Sequence, residues 1–185
     1  MRVGIFGGTF DPVHVGHLAI ARAALDSAHL DRVLFVPARR SPLKTTAPVA
    51  SEADRLAMLE AAVKDEPRFS VSRVELEREG PSFTVDTLNA LRGEGELALI
   101  LGSDALADLP KWRSPERIRQ LATLLVARRP GAPEPDPESG ARAFDAPCLD
   151  ISSRELRQRA SRGLSLRYLV PDDVWRHIER KGLYR

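Results

Sequence analysis

Two histidines three residues apart, His14 and His17, follow a pair of glycines near the start of the chain. Residues 7–17 read Gly-Gly-Thr-Phe-Asp-Pro-Val-His-Val-Gly-His and lie between an apolar run and a helical pattern. Glycines at such a junction let the backbone approach a ligand closely, and the amino end of the helix offers unpaired amides and the positive end of its dipole. The pattern predicts a phosphate-binding loop whose histidines donate hydrogen bonds to anionic oxygens.

A purely structural role and a zinc site are the alternatives for these histidines. A lone histidine is more often structural than catalytic, but two of them in a glycine-rich loop favour a function. Zinc needs further ligands, and no third ligand is evident nearby. Neither a Walker A lysine nor the glycine spacing of a dinucleotide-binding fingerprint is present, so the loop is expected to be a different kind of phosphate cradle.

A second polar run, Ile-Ser-Ser-Arg-Glu-Leu-Arg, occupies residues 151–157. Ser152 and Glu155 have the spacing of a capping box, which predicts the start of a helix. Capping accounts for those two residues almost completely. It does not account for Arg157, one turn into the helix and beside a second cluster of N-terminal amides.

Three further positions have residue types suited to a ligand. The segment 37–44 is basic, stiffened by prolines and suited to hold phosphate, although exposed cations are usually just solvated. Asp104 follows the most apolar segment, where a carboxylate contacts ribose or adenine, helps to hold magnesium, or only complements the dipole of the next helix. Trp112 lies between Lys111 and Arg113, which favours a partly exposed, stacking ring over plain core packing.

Apolar strands alternate with helical patterns along the whole chain. Strands are predicted at 3–6, 32–36, 69–74, 97–101 and 122–127, and helices at about 16–28, 51–63 and 85–91, from 115, from 152 and at 171–182. A strand, a helix and a strand within the first 36 residues imply a right-handed crossover and a parallel sheet. We expect one α/β domain over 1–185, a single Rossmann-like doubly wound parallel sheet with helices on both faces and ligands at the carboxyl ends of its strands.

Residues 130–140, rich in proline, are expected to be a mobile surface loop rather than a domain boundary.

Composition and charge limit the kinds of molecule that this protein is expected to bind. The chain has 185 residues, a formal net charge of +2 and one cysteine, Cys148. This charge is too small to indicate a nucleic-acid partner, whereas a few cations gathered at one site suffice for an anionic small molecule. A lone cysteine and the lack of a signal sequence or an apolar run of eighteen residues predict a cytoplasmic protein without a membrane segment. The oligomeric state is not predicted.

The run at 7–17 resembles the signature of the HxGH nucleotidyltransferase superfamily, and in this fuller form it resembles the bacterial nicotinate-nucleotide adenylyltransferases. The resemblance covers essentially the whole chain except the proline-rich loop. It implies transfer of AMP from ATP to nicotinate mononucleotide, giving nicotinate adenine dinucleotide, a precursor of NAD, and pyrophosphate. It also implies Mg²⁺ as the ion that accompanies ATP.

The same resemblance implies the roles of individual residues. The two histidines of the family contact the ATP phosphates and stabilise charge in the transition state, the motif Ile-Ser-Ser-Thr-x-Ile-Arg holds the triphosphate, and the lysine of a Pro-x-x-x-x-Pro-His-Lys loop contacts phosphate. Residues 80–88 are similar to the family's Gly-Pro-Ser-Tyr-Thr-x-Asp-Thr-Leu, and residues 109–112 to its Leu-x-x-Trp. These matches imply that Trp112 stacks on the pyridine ring of the mononucleotide. They also imply that amides near Thr84 bind the carboxylate of that ring. The implied catalytic residues are His14, His17, Lys44 and Arg157; the implied ATP contacts are Gly7, Gly8, Thr9, Phe10, His14, His17, Gly102, Asp104, Ile151, Ser152, Ser153 and Arg157; the implied mononucleotide contacts are Thr9, Lys44, Ser82, Phe83, Thr84 and Trp112. No residue is assigned as a metal ligand.

This chain departs from the family pattern at four positions. Leu43 stands where histidine is common, Phe83 replaces a tyrosine, Arg113 occupies the place of a second aromatic residue, and Arg154 replaces a threonine. Each change alters the chemistry available next to an implied contact.

Three alternative functions use related residues. A phosphopantetheine adenylyltransferase does not fit the segments Ser-Phe-Thr and Leu-Pro-Lys-Trp, and this chain is somewhat long for one. A class I aminoacyl-tRNA synthetase is much larger and carries a Lys-Met-Ser-Lys loop that is absent here. A non-catalytic nucleotide sensor on the same fold would not need both phosphate-binding motifs intact. Release of pyrophosphate separates these functions.

Overall fold

The computed structural model describes residues 1–40, 46–128, 134–147 and 149–185. Within them six strands form one sheet: β1 (Arg2–Gly8), β2 (Arg32–Pro37), β3 (Phe69–Val71), β4 (Glu96–Gly102), β5 (Ala122–Arg128) and β6 (Ala141–Asp145). Every neighbouring pair is parallel, and the spatial order is β3-β2-β1-β4-β5-β6. The strand order reverses between β1 and β4, so this crevice is the switch point where open α/β sheets bind ligands.

Seven α-helices accompany the sheet in the described part of the chain: α1 (Val15–Ser27), α2 (Glu52–Val63), α3 (Thr84–Ala90), α4 (Ser103–Asp108), α5 (Pro115–Leu121), α6 (Ser153–Ser161) and α7 (Asp172–Lys181). Single 3-10 turns lie at Arg92–Glu94, Leu109–Lys111 and Pro137–Ser139. None of the helices seen in these ranges is long and apolar enough to cross a bilayer.

Alternation along the strands gives the sheet two apolar faces. Ile5 of β1 belongs to the cluster that packs under α3 and α5, whereas its neighbour Phe6 belongs to the cluster that packs under α1, α2, α6 and α7. Both faces are therefore covered by helices, as the predicted doubly wound architecture requires.

The helix boundaries follow the predicted caps. Ser51 accepts a hydrogen bond from the backbone amide of Asp54 at 3.0 Å, and Ser152 accepts one from the amide of Glu155 at 3.2 Å. Gly182 ends α7 with a left-handed φ of 60°. Ser114 precedes Pro115 as predicted, but its φ is 54° and its side chain makes no capping hydrogen bond.

Two strand predictions need correction. β3 ends at Val71, because the chain leaves the sheet after the amide of Ser72 bonds to Phe35, and residues up to 74 do not continue it. The strand β6 was not predicted at all. Its sequence, Ala-Arg-Ala-Phe-Asp, contributes only Phe144 to the core, as suits a short edge strand. The described end of the proline-rich segment also contains the 3-10 turn at Pro137–Ser139, so that part is not irregular.

Candidate functional site

The glycine-rich run forms the connection between β1 and α1, at the switch point of the sheet. Gly7 and Gly8 are the last residues of β1, and His14 is the residue that precedes the first turn of α1. The run therefore occupies the predicted position, at the carboxyl edge of the central strand and at the amino end of a helix of 13 residues.

The absence of a side chain serves different purposes at the two glycines. A Cβ atom on Gly7 would meet nothing within 4 Å, so a small residue there leaves room for a ligand. A Cβ atom on Gly8 would lie 2.9 Å from the ring of Phe10, so packing within the protein already requires glycine at that position. Phe10 has a φ of 49° and turns its ring into the core, where it is 2% exposed. Only the backbone of Phe10 is therefore placed to approach a ligand.

The histidine rings are stacked on each other. Their centroids lie 3.7 Å apart with an interplanar angle of 30°. The backbone amide of His14 donates to Nδ1 of His17 at 3.2 Å, so Nδ1 accepts and the neutral ring carries its proton on Nε2. The structure thus assigns His17 the tautomer that donates from the end of the ring away from its own backbone.

His14 is buried more deeply than its place in a phosphate-binding loop suggests. Burial lowers the pKa of its imidazole to about 4, and its Nδ1 atom is buried without a hydrogen-bond partner among the residues that the structure describes. The ring is therefore neutral at pH 7, and any hydrogen bond that it donates to phosphate is that of a neutral group rather than of a cation.

The second predicted motif meets the first in direct contact. Arg157 donates from Nη1 to the backbone carbonyl of Asp11 at 2.7 Å, and Ser153 donates from Oγ to the carbonyl of Pro12 at 2.9 Å. A Cβ atom on Gly16 would come within 2.9 Å of Ile151, so the start of α1 lies against the segment that leads into α6. The two motifs, far apart in sequence, form one side of the site.

The serine hydroxyls of this motif already have partners. Ser152 donates to a carboxylate oxygen of Glu155 at 2.8 Å while it caps the helix, and Ser153 is occupied by Pro12. Each hydroxyl has only one proton, so contacts from these residues to phosphate would come from their backbone amides. Arg154, in place of the family's threonine, is exposed.

Asp11 organises the loop, although it was not predicted as a site residue. Its carboxylate is 3% exposed and accepts from the amides of Val49 and Ala50, at 2.8 and 3.1 Å, and from the hydroxyl of Tyr184 at 2.8 Å. Its position inside the glycine-rich run was a usable signal. Its partners lie 38 to 173 residues away, and no local pattern connects them.

Arg55 supports the same loop from α2 and was also missed. It is fully buried, and its Nη1 donates to the carbonyls of Thr9 and Ala38, both at 2.8 Å. Burial lowers the pKa of this guanidinium, while the charges of Asp11 and Glu52 raise it. An arginine on the otherwise apolar face of α2 was the signal available in the sequence.

A cavity of about 300 Å³ opens beside the loop on the other side of β1. All five described residues that were predicted to contact the mononucleotide line it, namely Thr9, Ser82, Phe83, Thr84 and Trp112. Gly7, Gly8 and Gly102 line it as well, so the predicted phosphate loop forms one of its walls. Lys44 and Leu43 lie outside the described residues.

Trp112 is partly exposed, as predicted, and within the described part of the chain its buried Nε1 atom has no hydrogen-bond partner. At the same cavity the two unusual residues Phe83 and Arg113 contact each other, because the guanidinium lies 4.8 Å from the ring centroid. Arg113 also pairs with Asp86 at 3.6 Å. Two of the departures from the family pattern are therefore partners in one cation–π contact: Arg113, where the family has a second aromatic residue, and Phe83, where it has a tyrosine.

Asp104 belongs neither to the contact between the glycine-rich loop and α6 nor to the lining of the cavity. It is exposed in the first turn of α4 and is not among the residues that line the cavity. Its position at the carboxyl end of β4 is compatible with a contact to ATP and with a role at the helix dipole.

Comparisons with known proteins show which family the chain belongs to. The cytidylyltransferase-like family model matches residues 5–159. A probable nicotinate-nucleotide adenylyltransferase of Roseiflexus castenholzii is 49% identical over 195 aligned residues, covering 100% of this chain and 98% of the relative. One from Thermus thermophilus is 47% identical and covers 100% of both chains.

Solved structures show the same fold. The nicotinic acid mononucleotide adenylyltransferase of Plasmodium falciparum in complex with APC superposes with a TM-score of 0.77 at 18% identity, covering 99% of this chain and 96% of that one. Its complex with NaAD gives 0.76 at 19% identity, covering 99% and 97%. By the family match and the full-length relatives, the chain belongs to the cytidylyltransferase-like family and, within it, to the nicotinate-nucleotide adenylyltransferases.

Proposed function

We propose that this protein transfers AMP from ATP to nicotinate mononucleotide, producing nicotinate adenine dinucleotide for NAD biosynthesis and releasing pyrophosphate. The partners in this proposal are small molecules only, and no nucleic acid takes part. The single cysteine, Cys148, supports a reducing compartment such as the cytoplasm.

One observation carries the proposal: the contact of the glycine-rich loop with the start of α6, beside a cavity for a second substrate. The bonds from Arg157 to Asp11 and from Ser153 to Pro12 hold two helix amino ends and a permanent cation together. Gly7 and Gly8, at the start of the same loop, line the cavity. A triphosphate on one side and a mononucleotide in the cavity would bring the two reacting phosphates together at these glycines.

The chemistry follows from that placement. A phosphate oxygen of the mononucleotide attacks the α-phosphorus of ATP in line, one P–O bond forms, and the bond between the α- and β-phosphates breaks as pyrophosphate leaves. No protein nucleophile is needed, because the attacking group is already an anion. Catalysis then consists of positioning and of stabilising charge on the leaving group.

Hydrogen-bond donors held before the substrate arrives suit this task. His17 carries its ring proton on Nε2 because the amide of His14 occupies Nδ1. Arg157 is fixed by its bond to Asp11, and a guanidinium has five N–H donors, so further donors remain for phosphate oxygens. Donors that do not have to reorganise stabilise developing charge at the smallest cost.

The cavity supports the mononucleotide half of the proposal. Trp112 would stack on the pyridine ring, and amides near Thr84 would meet the carboxylate that distinguishes the acid from the amide. Lys44 would contact phosphate, a role that rests on the sequence motif alone. The location of Ser82, Phe83 and Trp112 in one cavity supports these assignments.

Magnesium accompanies ATP in this proposal. Over the ranges that the structure describes, no group of three or more histidine, cysteine or acidic side chains could hold a metal ion. Magnesium at nucleotide sites takes most of its ligands from phosphate oxygens and water, so the residues fit an ion carried by the triphosphate itself. When bound, the ion would neutralise part of the charge of the triphosphate.

An assay of pyrophosphate release tests the proposal. The protein is incubated with ATP, Mg²⁺ and one of three acceptors: nicotinate mononucleotide, nicotinamide mononucleotide or phosphopantetheine, and the adenylylated product is identified by its mass. We expect release with nicotinate mononucleotide and a lower kcat/KM with the amide. Preference for phosphopantetheine would replace the proposed substrate, and binding of ATP without release in any arm would identify a sensor.

A further inference from the structure

Glu75 is a buried acidic residue that the proposed mechanism does not use. It is 7% exposed, lies in the chain segment between β3 and α3, and lines the cavity of about 300 Å³. Burial raises the pKa of its carboxyl above the ordinary value, while hydrogen bonds from Thr87 and Ser82 and the charge of Arg78 oppose that rise. A buried carboxyl costs free energy, so its partners indicate what it does.

The first partner, Ser82, holds the segment that follows β2. Its Oγ accepts from the backbone amides of Arg39 at 3.1 Å and Arg40 at 3.4 Å, and its own amide donates to the carbonyl of Arg40 at 2.9 Å. A hydroxyl has one proton and two lone pairs. With both amides directed at the oxygen, the hydroxyl proton is available for Glu75, which lines the same cavity and whose carboxyl pKa Ser82 lowers as a hydrogen-bond partner.

The second partner, Thr87, connects Glu75 to the same segment by another route. Thr87 donates from Oγ1 to Glu75 Oε1 at 2.6 Å and accepts from Nη2 of Arg78 at 3.3 Å. Arg39 in turn donates from Nη1 to the carbonyl of Arg78 at 3.2 Å. A chain of hydrogen bonds therefore runs from the Glu75 carboxylate through Thr87 and Arg78 to Arg39. Ser82, the other partner of Glu75, binds the amide of Arg39 directly.

We propose that Glu75 is a positioning residue for the mononucleotide half of the site: it orients Ser82, which binds the amides of Arg39 and Arg40, so that the cavity wall at Ser82 and Ala38 keeps one geometry. The proposal depends on the proposed function only for the identity of the mononucleotide. Glu75 lies on the cavity side of the site, whereas the contacts of Arg157 and His17 lie on the other side, so its effect should fall on one substrate alone.

The substitution Glu75→Gln tests this with little change in volume. Glutamine keeps one acceptor oxygen and turns an amino group toward the other hydroxyl, so Ser82 and Thr87 cannot both keep their acceptor. We expect KM for the mononucleotide to rise about tenfold, with KM for ATP and kcat within about twofold of the wild type. Glu77→Gln removes a nearby exposed carboxylate and should leave all three constants unchanged.

A double-mutant cycle separates positioning from a general loss of stability. If Glu75 acts through Ser82, Glu75→Gln should have at most about a twofold effect on KM for the mononucleotide in a Ser82→Ala background. An equal effect in both backgrounds, or an equal rise in KM for both substrates, would overturn the proposal.

Amide hydrogen exchange gives a readout that needs no substrate. In the free enzyme, Glu75→Gln should speed the exchange of the Arg39 and Arg40 amides about fivefold to tenfold, while Glu77→Gln leaves them as in the wild type. Unchanged exchange at both amides would refute the positioning role. A wild type that releases no pyrophosphate with any mononucleotide would refute the proposed function instead, and the exchange measurement would still decide the role of Glu75.

Discussion

Arg157 donates a hydrogen bond of 2.7 Å to the backbone carbonyl of Asp11, a residue 146 positions earlier in the chain. The same guanidinium lies 3.9 Å from the carboxylate of Asp11, whose other contacts hold the segment at Val49 and the penultimate residue Tyr184. The cation proposed to meet the triphosphate is thus fixed to the loop proposed to cradle it. The geometry of the phosphate side is set by the folded chain before ATP binds.

The proposed role of His17 predicts a large effect on turnover. Replacing His17 with Ala removes a donor that the amide of His14 holds in one tautomer. We expect kcat to fall by roughly 10²–10³, the range for loss of one preorganised donor. Initial rates of pyrophosphate release at saturating concentrations of both substrates measure this fall in kcat.

The control for this experiment is His29→Asn. His29 is exposed and has a φ of 48°, a conformation that asparagine tolerates. This variant should keep the activity of the wild type. Turnover of His17→Ala equal to that of the control would show that His17 does not stabilise the transition state.

Trp112 should affect binding of one substrate rather than turnover. Trp112→Ala removes the ring proposed to stack on the pyridine, so KM for the mononucleotide should rise about tenfold with KM for ATP nearly unchanged. Trp112→Phe keeps an aromatic face and should recover most of the loss. If both variants raise KM for the two substrates together, the tryptophan supports the fold and not the pyridine ring.

Most of the fold could be predicted because its signals are local. Short apolar runs identified the five strands β1 to β5. Capping serines placed helix starts such as that of α6 within one or two residues. β6 was missed because this short edge strand buries one residue, Phe144, and has no apolar run. The end of β3 at Val71 depends on where the chain leaves the sheet, and the spacing of apolar residues in the sequence does not indicate that point.

For the site, residue type and spacing singled out His14 and His17, and the family resemblance singled out Arg157. The structure brings the two segments that hold these residues into contact, and the roles of the three side chains stay predictions. Asp11 and Arg55 were missed because their roles are hydrogen bonds to distant backbone groups. The burial of His14 and the contact between Phe83 and Arg113 also required the folded structure, since both depend on which segments pack together.

The burial of His14 predicts how stability depends on pH. Its pKa is lowered from the ordinary 6.5 to about 4, so between these values the unfolded chain binds a proton that the folded protein does not. The free energy of unfolding should therefore decrease as the pH falls from 6.5 toward 4, and by about 2 kcal/mol from this group at pH 5. Above about pH 7.5 the ring is almost entirely neutral in both states and contributes almost no pH dependence.

Urea unfolding at pH 7.5 and pH 5 measures this contribution. His14→Gln has no titrating ring, so its free energy of unfolding should change less between the two pH values than that of the wild type, by about 2 kcal/mol. His29→Asn, which removes an exposed histidine, should behave as the wild type does. Equal pH dependence in the wild type and His14→Gln would show that His14 is not buried as a neutral group.

The last prediction concerns Tyr184, which connects the end of the chain to the loop. Its hydroxyl donates to Asp11 at 2.8 Å, and burial raises the pKa of that hydroxyl far above the ordinary value, so it stays protonated as a donor. Tyr184→Phe leaves a buried carboxylate without one partner and should lower the free energy of unfolding by about 1–3 kcal/mol.

Tyr168→Phe is the matched control, because Tyr168 is 78% exposed. It should change the free energy of unfolding by less than about 0.5 kcal/mol. Since Asp11 also meets Arg157 and the amides at 49 and 50, Tyr184→Phe should further raise KM for ATP by a few fold. A variant as stable as the control, with an unchanged KM for ATP, would show that the loop keeps its geometry without the end of the chain.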